Sequence, residues 1–410
     1  MKKALFSFSL LILIIGNAFS ADYYWVGGSG DWTELQHWAS SPGGTGNAYA
    51  TIPAIIDNVF FESHSFTIGS NAVSVGSSIT FHDMNWTGAT TYPIFTCGVN
   101  MDISGSLTLI PNMQFNNSGG QTTFISDSPE TIITANKVLK NVTFNGNGSW
   151  TLVGYPLNVD NDISLMKGSL ITAGYTVICS KFNSTPPVIS NQRLLDIRNS
   201  TFNLKSSDNC PYLCWDVDNS GNSIYVISDN STINFGGGFS TSTMKAGCGL
   251  HYNDVNFIAG PGMMLICNDT IRNATFSQDG YILGSNSIFN NTIIMGNGSI
   301  GDTLLLLCDV PLNTSYSNTD NRFNTVDIYH TGRVYGNHNV FNNLLFSTHP
   351  SYWGCGYPGG AEDGELHGNN DTIFDLLSFS REGKIFGTRN DINLCTFMCD
   401  GWVYWKTRVN

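Results

Sequence analysis

A six-residue block recurs along this chain and constrains its fold more than any other feature. The block carries apolar residues at places one, four and six, and often Asn or Asp at place three. In the second half, consecutive copies begin about 18 or about 34 residues apart, which is one or two units of about 17–19 residues. Three earlier copies are evenly spaced at about 58 residues, which is near three units. The copies begin at Phe81, Leu139, Ile197, Tyr252, Ile271, Phe289, Phe323, Phe341, Phe374 and Ile392.

The spacing inside the block has a geometric meaning. Side chains of a strand alternate between its two faces, and places four and six obey that alternation. Places one and four are an odd distance apart, so the chain is expected to bend at places two and three. Asn and Asp tolerate a left-handed backbone better than other non-glycine residues. Left-handed corners, with amides hydrogen-bonded along the stack, are therefore predicted at Asn141, Asn199, Asp254, Asn273, Asn291 and Asn343.

A unit this short excludes the common repeat architectures built from longer units. It cannot hold a βαβ crossover or a propeller blade. An all-β sandwich is the alternative, but a sandwich does not keep one register over most of a chain. We therefore predict an all-β fold, a right-handed single-stranded parallel β-helix over 76–410 with an N-terminal β cap over 21–75. The stretch from Phe81 to Phe397 has room for roughly 17 coils.

The N-terminus has the features of a signal peptide over 1–20. Lys2 and Lys3 precede the apolar run Leu5–Ile15, and the small residues Ala18 and Ser20 stand at the −3 and −1 positions of a cleavage site. A retained membrane anchor is the alternative, although the run is short for a bilayer. We expect a protein that is secreted or displayed at the cell surface and is not integral to the membrane.

Charge and cysteine content restrict the partners. The net charge is −13, which disfavours nucleic acid and anionic lipid as ligands. Ten cysteines in an exported chain allow disulfides. Cys248 and Cys267 each lie four residues before a block, so they should stack in adjacent coils within reach of a disulfide. A bonded pair and two reduced thiols side by side both remain open.

The predicted cap is rich in tryptophan. Trp25, Trp32 and Trp38 could form a sugar-stacking platform, or they could cover the apolar end of the first coil, which is the simpler interpretation. The opening YWVGGSGDW…HWA, with Pro53 and the DNVFF of Asp57–Phe61, resembles the start of large secreted surface proteins of Bacteroidota. That family includes gliding-motility-type adhesins and substrates of type 9 secretion.

This resemblance implies a location, an architecture and a partner in the export machinery rather than an activity. It also implies O-glycosylation at Thr270, Thr303 and Thr372, since each stands in an Asp-Thr-Ile or Asp-Thr-Leu triplet. Such proteins usually carry a C-terminal sorting domain, whereas this chain ends in GWVYWKTRVN after the last repeat. A truncated chain and a different route of export or anchoring both remain open.

Two segments are candidates for ligand binding. The spacing of Asp216, Asp218 and Ser220 resembles the start of a calcium loop, so Ca²⁺ is the cofactor that the sequence suggests. An ordinary turn is the alternative, because Ile227 stands where a calcium loop has a carboxylate. The Gly- and Pro-rich segment 347–371 is predicted to be a protruding loop that binds a glycan or a cation. A solvated insertion is its alternative. Its candidate residues are Tyr352, Trp353, Tyr357, Glu362, Asp363, Glu365 and His367.

Many β-helices cleave polysaccharides, so an enzyme must be weighed against a binding protein. Glycoside hydrolases of this fold resemble one another through NTD, DD, GHG and RIK motifs, and here only an isolated NTD occurs, at Asn318–Asp320. Places two and five of the blocks present mainly amides and hydroxyls. We therefore predict no catalytic residue and a non-catalytic adhesion or glycan-binding protein whose partner is an extracellular glycan or surface ligand. A polysaccharide lyase or hydrolase is the alternative.

Overall fold

The predicted fold class is confirmed by a computed structural model of the chain. It is nearly all β, with 56% strand and 1% helix, and forms a parallel β-solenoid of about 14 turns. No helix among the described residues is long and apolar enough to cross a membrane. Of the predicted signal peptide, only Ser20 is described. The structure describes residues 20–205, 212–236, 241–300, 319–329, 332–347, 364–369, 371–380, 383–397, 401–403 and 408–409.

Within these residues, 41 strands form three sheets, and a short 3-10 helix spans Leu35–His37. Sheet 1 has 23 strands: Asp22–Trp25, Trp38–Ala39, Asn58–Phe60, Ile79–Phe81, Met84–Asn85, Met101–Ile103, Leu107–Thr108, Gln121–Phe124, Pro129–Ile133, Asn141–Leu152, Asp162–Ile171, Lys181–Ser184, Arg193–Asp196, Tyr212–Val217, Ile224–Ile227, Ser242–Lys245, Gly262–Cys267, Gly280–Ser285, Gly298–Ile300, Gly332–Asn337, Gly364–Asn369, Gly383–Phe386 and Gly401–Val403.

Sheet 2 has 14 strands and runs along another side of the solenoid. Its strands are Val138–Leu139, Leu157–Val159, Val177–Cys179, Thr201–Lys205, Thr232–Gly236, His251–Ala259, Thr270–Phe276, Ile288–Ile294, Arg322–Ile328, Val340–Phe346, Thr372–Phe379, Asp391–Ile392, Cys395–Phe397 and Arg408–Val409. Sheet 3 has four strands near the N-terminus: Gly30–Asp31, Ala72–Val75, Ile94–Cys97 and Gln114–Asn116.

The blocks from Tyr252 to Phe289 stack in the predicted register. Place one of successive blocks is paired in parallel from Tyr252 through Ile271 to Phe289, and place six from Phe257 through Phe276 to Ile294. The pairing skips place two on both strands, so the strands stay in phase while the chain changes direction there.

The 34-residue interval from Phe289 to Phe323 is one turn and not two units as predicted, because these residues pair directly. Phe341 pairs with Ile373, so place one of the next block is Ile373 and not the predicted Phe374.

The register assigned to the three early blocks is wrong. Phe202, at place six of its block, lies in line with Ile233 and Val255, and Val255 is a place-four residue. The early turns are also longer than predicted, because Phe81 pairs with Ile103 and Ile103 pairs with Phe124. In the second half, by contrast, Ile271 already pairs with Phe289. Longer early turns leave room for about 14 turns in all, fewer than predicted.

The left-handed corners lie between the blocks instead of inside them. Asn268, Asn286 and Asp320 have φ values of 55°, 57° and 59°, and each lies three residues before place one. Inside the block the chain bends at place two, where the pairing skips a residue, but only Asn199 has a left-handed backbone, with φ 57°. The predicted bend is therefore present, whereas the left-handed conformation predicted at Asn141, Asp254, Asn273, Asn291 and Asn343 is wrong.

The amide stack predicted for place three is present even though the backbone there is extended. Asn291 Nδ2 donates to Asn273 Oδ1 at 2.8 Å, and Asn273 Nδ2 donates to Asp254 Oδ1 at 2.6 Å. These bonds join three adjacent turns along the outside of sheet 2. They contribute to holding successive turns in register.

A buried polar ladder follows the left-handed corners. In each turn, the side-chain oxygen of the residue after the corner accepts a hydrogen bond from the backbone N–H of the equivalent residue one turn earlier. For example, Asn339 N–H donates to Asp371 Oδ1 at 2.9 Å, and Asp371 N–H donates to Asn390 Oδ1 at 3.1 Å. This arrangement satisfies backbone groups that the bend removes from the sheets. The ladder residues are Asp269, Ser287, Asn321, Asn339, Asp371 and Asn390, each at most 1% exposed.

A column of glycines opposite the place-six side chains makes close packing possible. Gly280 begins a strand of sheet 1, and a Cβ atom there would lie 2.7 Å from Cγ of Phe276. The place-six rings stack on one another, with the Phe257 and Phe276 ring centroids 4.6 Å apart. The glycines of this column are Gly262, Gly280, Gly298, Gly332, Gly364, Gly383 and Gly401.

The N-terminal tryptophans pack inward, as the simpler interpretation expects. Trp25, Trp32 and Trp38 are each fully buried, and Trp32 contacts Phe81 and Phe95 of the following turns. They therefore cover the end of the core, and the sugar-stacking interpretation is wrong. Parallel pairing already begins inside the predicted cap, where the first strand pairs with Asn58–Phe60.

The predicted contact between Cys248 and Cys267 is also confirmed. The two residues form a disulfide with a Cα separation of 4.6 Å. They lie just before paired residues of adjacent turns, His251 and Thr270. The bond therefore joins neighbouring turns at their corner.

The glycine column generates the first prediction. Gly280→Ala should lower the free energy of unfolding by about 1–3 kcal/mol, because the added methyl group overlaps the buried ring of Phe276. Phe276→Ala should cost about 3–5 kcal/mol through the cavity it leaves. Urea denaturation measures both. Gly98→Ala is the matched control, since its nearest atom would be 3.7 Å away, and equal effects of Gly280→Ala and Gly98→Ala would contradict the packing argument.

The buried ladder generates a second, pH-dependent prediction. Burial raises the pKa of Asp371 to about 7, against the lowering effect of its hydrogen bonds with Asn339. Between about pH 4 and pH 7, Asp371 is protonated in the folded state and ionised in the unfolded state. The contribution of this proton to the free energy of unfolding is therefore full below about pH 4 and is lost as pH rises through about 7. Asp371→Asn should remove a slope of about 1.4 kcal/mol per pH unit, because Asn occupies equivalent ladder positions.

Urea unfolding of the wild type and the variant at pH 4, 6 and 8 tests this. The variant should gain on the wild type as pH rises. The exposed Asp391 lies one turn further along and pairs with Thr372, so Asp391→Asn serves as the control. A difference between Asp371→Asn and the wild type that stays constant with pH would rule out the proposed titration.

Candidate functional site

An open groove runs along the outside of sheet 2 over four successive turns. The side chain at place one of each block points into the core. The side chains immediately before it and at place two point outward. They form two columns, with the backbone of the stacked strands as the floor between them. The groove has a volume of about 470 Å³. One wall is formed by Thr270, Ile288, Arg322 and Val340, and the other by Arg272, Asn290, Asn324 and Asn342.

The walls offer hydrogen-bonding groups at the repeat of the solenoid. Asn342 Nδ2 donates to Asn324 Oδ1 at 2.8 Å, which leaves the second N–H of that amide to face outward. On the opposite wall, Ile288 is 49% exposed and offers an apolar surface. Successive turns are about 4.8 Å apart, so the side chains of each wall follow one another at a short, regular interval. Asparagine repeats in three successive turns of one wall, whereas the other wall differs from turn to turn.

Two arginines give the groove its charge. Arg272 and Arg322 are exposed and stand on opposite walls, two turns apart. Arg272 Nη1 donates to Asn253 Oδ1 at 3.1 Å. Among the residues that the structure describes, no carboxylate forms an ion pair with either guanidinium. The groove is therefore locally cationic in a chain of net charge −13.

The segment 347–371 differs from the predicted loop at its C-terminal end. Gly364–Asn369 is a strand of sheet 1, paired in register with Gly332–Asn337, and Leu366 is fully buried. Glu365 and His367 therefore belong to a coil of the solenoid, and the loop boundary at 371 is wrong. The other candidates, Tyr352, Trp353, Tyr357, Glu362 and Asp363, lie outside the described residues.

Glu365 and His367 are engaged by neighbouring side chains on the outer face of sheet 1. Burial by itself would raise the pKa of Glu365, but the hydrogen bond from His367 and the charges of His367, Arg333 and Lys384 outweigh it, so the pKa is lowered. The His367 ring stacks between Tyr335 and Phe386, with centroid distances of 4.6 and 4.3 Å. Stacked rings present their edges outward, so this row stabilises the sheet and is a poor platform for a sugar face.

The calcium-loop candidates form a turn held by the protein's own cations. The carboxylate of Asp216 lies 3.8 Å from Lys181 Nζ and 3.6 Å from Lys245 Nζ. Asp218 Oδ1 accepts from Ser220 N–H at 2.8 Å, the geometry of an Asx turn. The lysines already neutralise the carboxylate that a calcium ion would need. The turn interpretation of Asp216, Asp218 and Ser220 is therefore favoured.

A buried arginine explains why this turn exists. Arg193 is 2% exposed and donates 2.7 Å and 2.8 Å hydrogen bonds from Nη2 to the carbonyl oxygen of Asp218 and to Ser223 Oγ. Its Nη1 donates to both oxygens of Ser184, and its Nε donates to the carbonyl of Asn191. All five N–H donors are used. The turn therefore closes over a cation supplied by the chain.

The glycosylation triplets have a structural origin. Asp269 and Asp371 are members of the buried ladder, and the following Thr270 and Thr372 are partly exposed on the outside of sheet 2. The repeated Asp-Thr pattern thus follows from the ladder and the strand alternation. Modification of Thr270 and Thr372 stays a prediction, and Thr303 lies outside the described residues.

The isolated NTD motif does not bring carboxylates together. Asp320 is the left-handed corner residue, and its nearest ionisable partner is His338, with Nδ1 4.0 Å from Oδ1. Asn318 lies outside the described residues. Hydrolysis of a glycosidic bond needs two converging carboxyl groups, and none line the groove.

Sequence reasoning missed one wall of the groove. It considered place two, which contains Arg272, but not the residue before place one, which contains Arg322. The signal was available, because strand alternation makes these two positions point the same way.

Comparison with known proteins finds no matching family model, no similar curated protein and no similar solved structure. The resemblance to Bacteroidota surface proteins therefore stays a prediction.

The turn around Arg193 generates the third prediction. Arg193→Met should lower the free energy of unfolding by about 3–5 kcal/mol, because several buried oxygens lose their donor at once. Lys140→Met is the control, since it breaks only a surface ion pair with Asp160. Thermal melts should be unchanged by calcium or a chelator. A calcium-dependent rise in Tm that Asp216→Asn abolishes would instead support a metal site.

Proposed function

We propose that this protein is a non-catalytic glycan-binding protein that acts in adhesion outside the cell, and that a linear polysaccharide lies along the sheet 2 groove. The observation that carries the proposal is the groove itself, which offers three amides in successive turns of one wall and the apolar side chains of Ile288 and Val340 on the other. Polysaccharides also repeat at short, regular intervals and carry both hydroxyl groups and apolar ring faces.

The solenoid supports this proposal through its rigidity. From Val138 onward, the described turns are hydrogen-bonded to one another along both large sheets, and the asparagine rows and the disulfide join the turns further. A groove on such a scaffold keeps its shape before the ligand binds, which lowers the entropy cost of binding. Long, repetitive contact then lets many weak interactions act together.

The chemistry of the lining favours binding over cleavage. The described residues that line the groove are arginines, asparagines, a threonine, aliphatic residues and two phenylalanines, none of which provides the pair of carboxyl groups that hydrolysis requires. The N-terminal signal-peptide pattern and the resemblance to Bacteroidota surface proteins support an extracellular location.

The fourth prediction concerns obstruction of the groove. Asn290 is exposed in the middle of one wall, so Asn290→Trp should fill the groove and weaken glycan binding at least tenfold without changing the melting temperature. A glycan array followed by calorimetry on the best ligand measures this. Thr275→Trp, on the neighbouring outward face, is the matched control and should bind normally.

A parallel assay for reducing or unsaturated sugar ends separates binding from cleavage. Release of such ends by the wild type would favour the lyase or hydrolase alternative. Equal binding by Asn290→Trp and the wild type would show that the ligand lies elsewhere.

A further inference from the structure

We infer that the groove selects an acidic polysaccharide with one anionic group per disaccharide, and that Arg272 and Arg322 bind successive anionic groups. This inference rests on the proposed glycan-binding function and names the class of ligand. It follows from the charge, the spacing and the surroundings of the two arginines.

The two guanidinium groups are available to a ligand. Both arginines are exposed and line the groove, and neither is paired with a carboxylate of the described residues. In contrast, Arg333 and Lys384 of sheet 1 share the carboxylate of Glu365, at 3.6 Å each. A cation without a carboxylate partner at the wall of an open groove favours a carboxylate or sulfate ester, which guanidinium binds with two parallel hydrogen bonds.

The distance between the two arginines determines how far apart the anionic groups of a bound polysaccharide should be. Arg272 and Arg322 are two turns apart, which is roughly 10 Å along the axis at the interstrand spacing. This matches the length of a disaccharide in an extended chain. Between them, Asn290 and Ile288 provide an amide and an apolar surface for an uncharged sugar. A polymer that alternates charged and neutral sugars fits this order of side chains.

The same features argue against nucleic acid. A single strand carries a phosphate on every nucleotide and is usually bound by aromatic side chains that stack on its bases. Here the cations are widely spaced, and Phe289 and Phe323 of the groove floor point into the core. At physiological salt the Debye length is about 8 Å, so remote acidic residues are screened and the two arginines dominate locally.

The test uses the full chain and polymers of defined charge. Hyaluronan carries one carboxylate per disaccharide, and κ-carrageenan carries one sulfate, so the pair separates the two sources of negative charge. The fully methyl-esterified form of hyaluronan keeps the sugar sequence and loses the charge. At least one charged polymer should bind, and binding should weaken as salt rises. Esterification should weaken hyaluronan binding at least tenfold if the carboxylate is the recognised group.

The fifth prediction concerns the arginines. Arg272→Gln and Arg322→Gln should each weaken binding about tenfold, as expected for loss of one charge-assisted hydrogen-bonded contact. Lys140→Gln changes the net charge equally, far from the groove, and should have no effect. Thermal melts of all three variants should match the wild type, since all three side chains are on the surface.

The outcomes separate this inference from the proposed function. If a neutral glycan binds as tightly as the charged polymers and Asn290→Trp abolishes its binding, glycan binding stands and the acidic specificity is wrong. If no glycan binds, both are wrong. If single-stranded DNA binds more tightly than either polymer, or if the arginine variants bind as the wild type does, the assignment of Arg272 and Arg322 is overturned.

Discussion

The structure of the second half depends on one packing relation, in which a column of glycines faces a column of place-six side chains. The aromatic rings of that column stack closely, with the Phe346 and Phe379 centroids 4.9 Å apart. Since neighbouring strands are about 4.8 Å apart, this ring spacing and the backbone spacing coincide. A side chain in place of Gly383 would meet Phe379 Cγ at 2.4 Å. The rings can therefore fill the interior only because sheet 1 offers no side chain at that point.

This packing also requires the corners. The chain leaves a strand of sheet 1 and must turn within a few residues to reach place one of the next block. The left-handed residue makes the turn, and the ladder residue after it satisfies the backbone groups that the turn exposes. Asp, Asn and Ser all serve in the ladder, since each supplies one accepting oxygen. Burial raises the pKa of the two ladder aspartates, Asp269 and Asp371, to about 7, so the ladder is predicted to contribute less stability as pH rises.

Much of this was predictable from the sequence, and the errors have physical causes. The spacing of the blocks predicts the register from Tyr252 to Phe289 correctly because these turns are nearly equal in length. It cannot separate two short turns from one turn that carries an insertion, so the interval from Phe289 to Phe323 is predicted wrongly as two units. The early turns are longer than the late ones. In addition, any half-buried strand has the alternating apolar residues of places four and six. The even spacing of the three early blocks therefore predicts the wrong register for them. The glycines that flank Gly364–Asn369 predict a loop there, but the segment is a strand, and Gly364 belongs to the glycine column. Knowledge of that column would have identified the strand.

The candidate site was harder to predict because a binding surface depends on which polar groups are already used. Sequence alone cannot separate Glu365, which forms ion pairs with three neighbours, from Arg272 and Arg322, which form none with the described residues. It also cannot show that the acidic turn at Asp216 is neutralised by lysines from two other strands. In the described part of the solenoid, the charged rows of sheet 1 are largely satisfied from within, so they stabilise the fold. The arginines of the sheet 2 groove form no ion pair with the described residues, and each groove amide has more hydrogen-bonding groups than the single bond between Asn342 and Asn324 uses. A ligand can therefore bind there without breaking the interactions that hold the turns together.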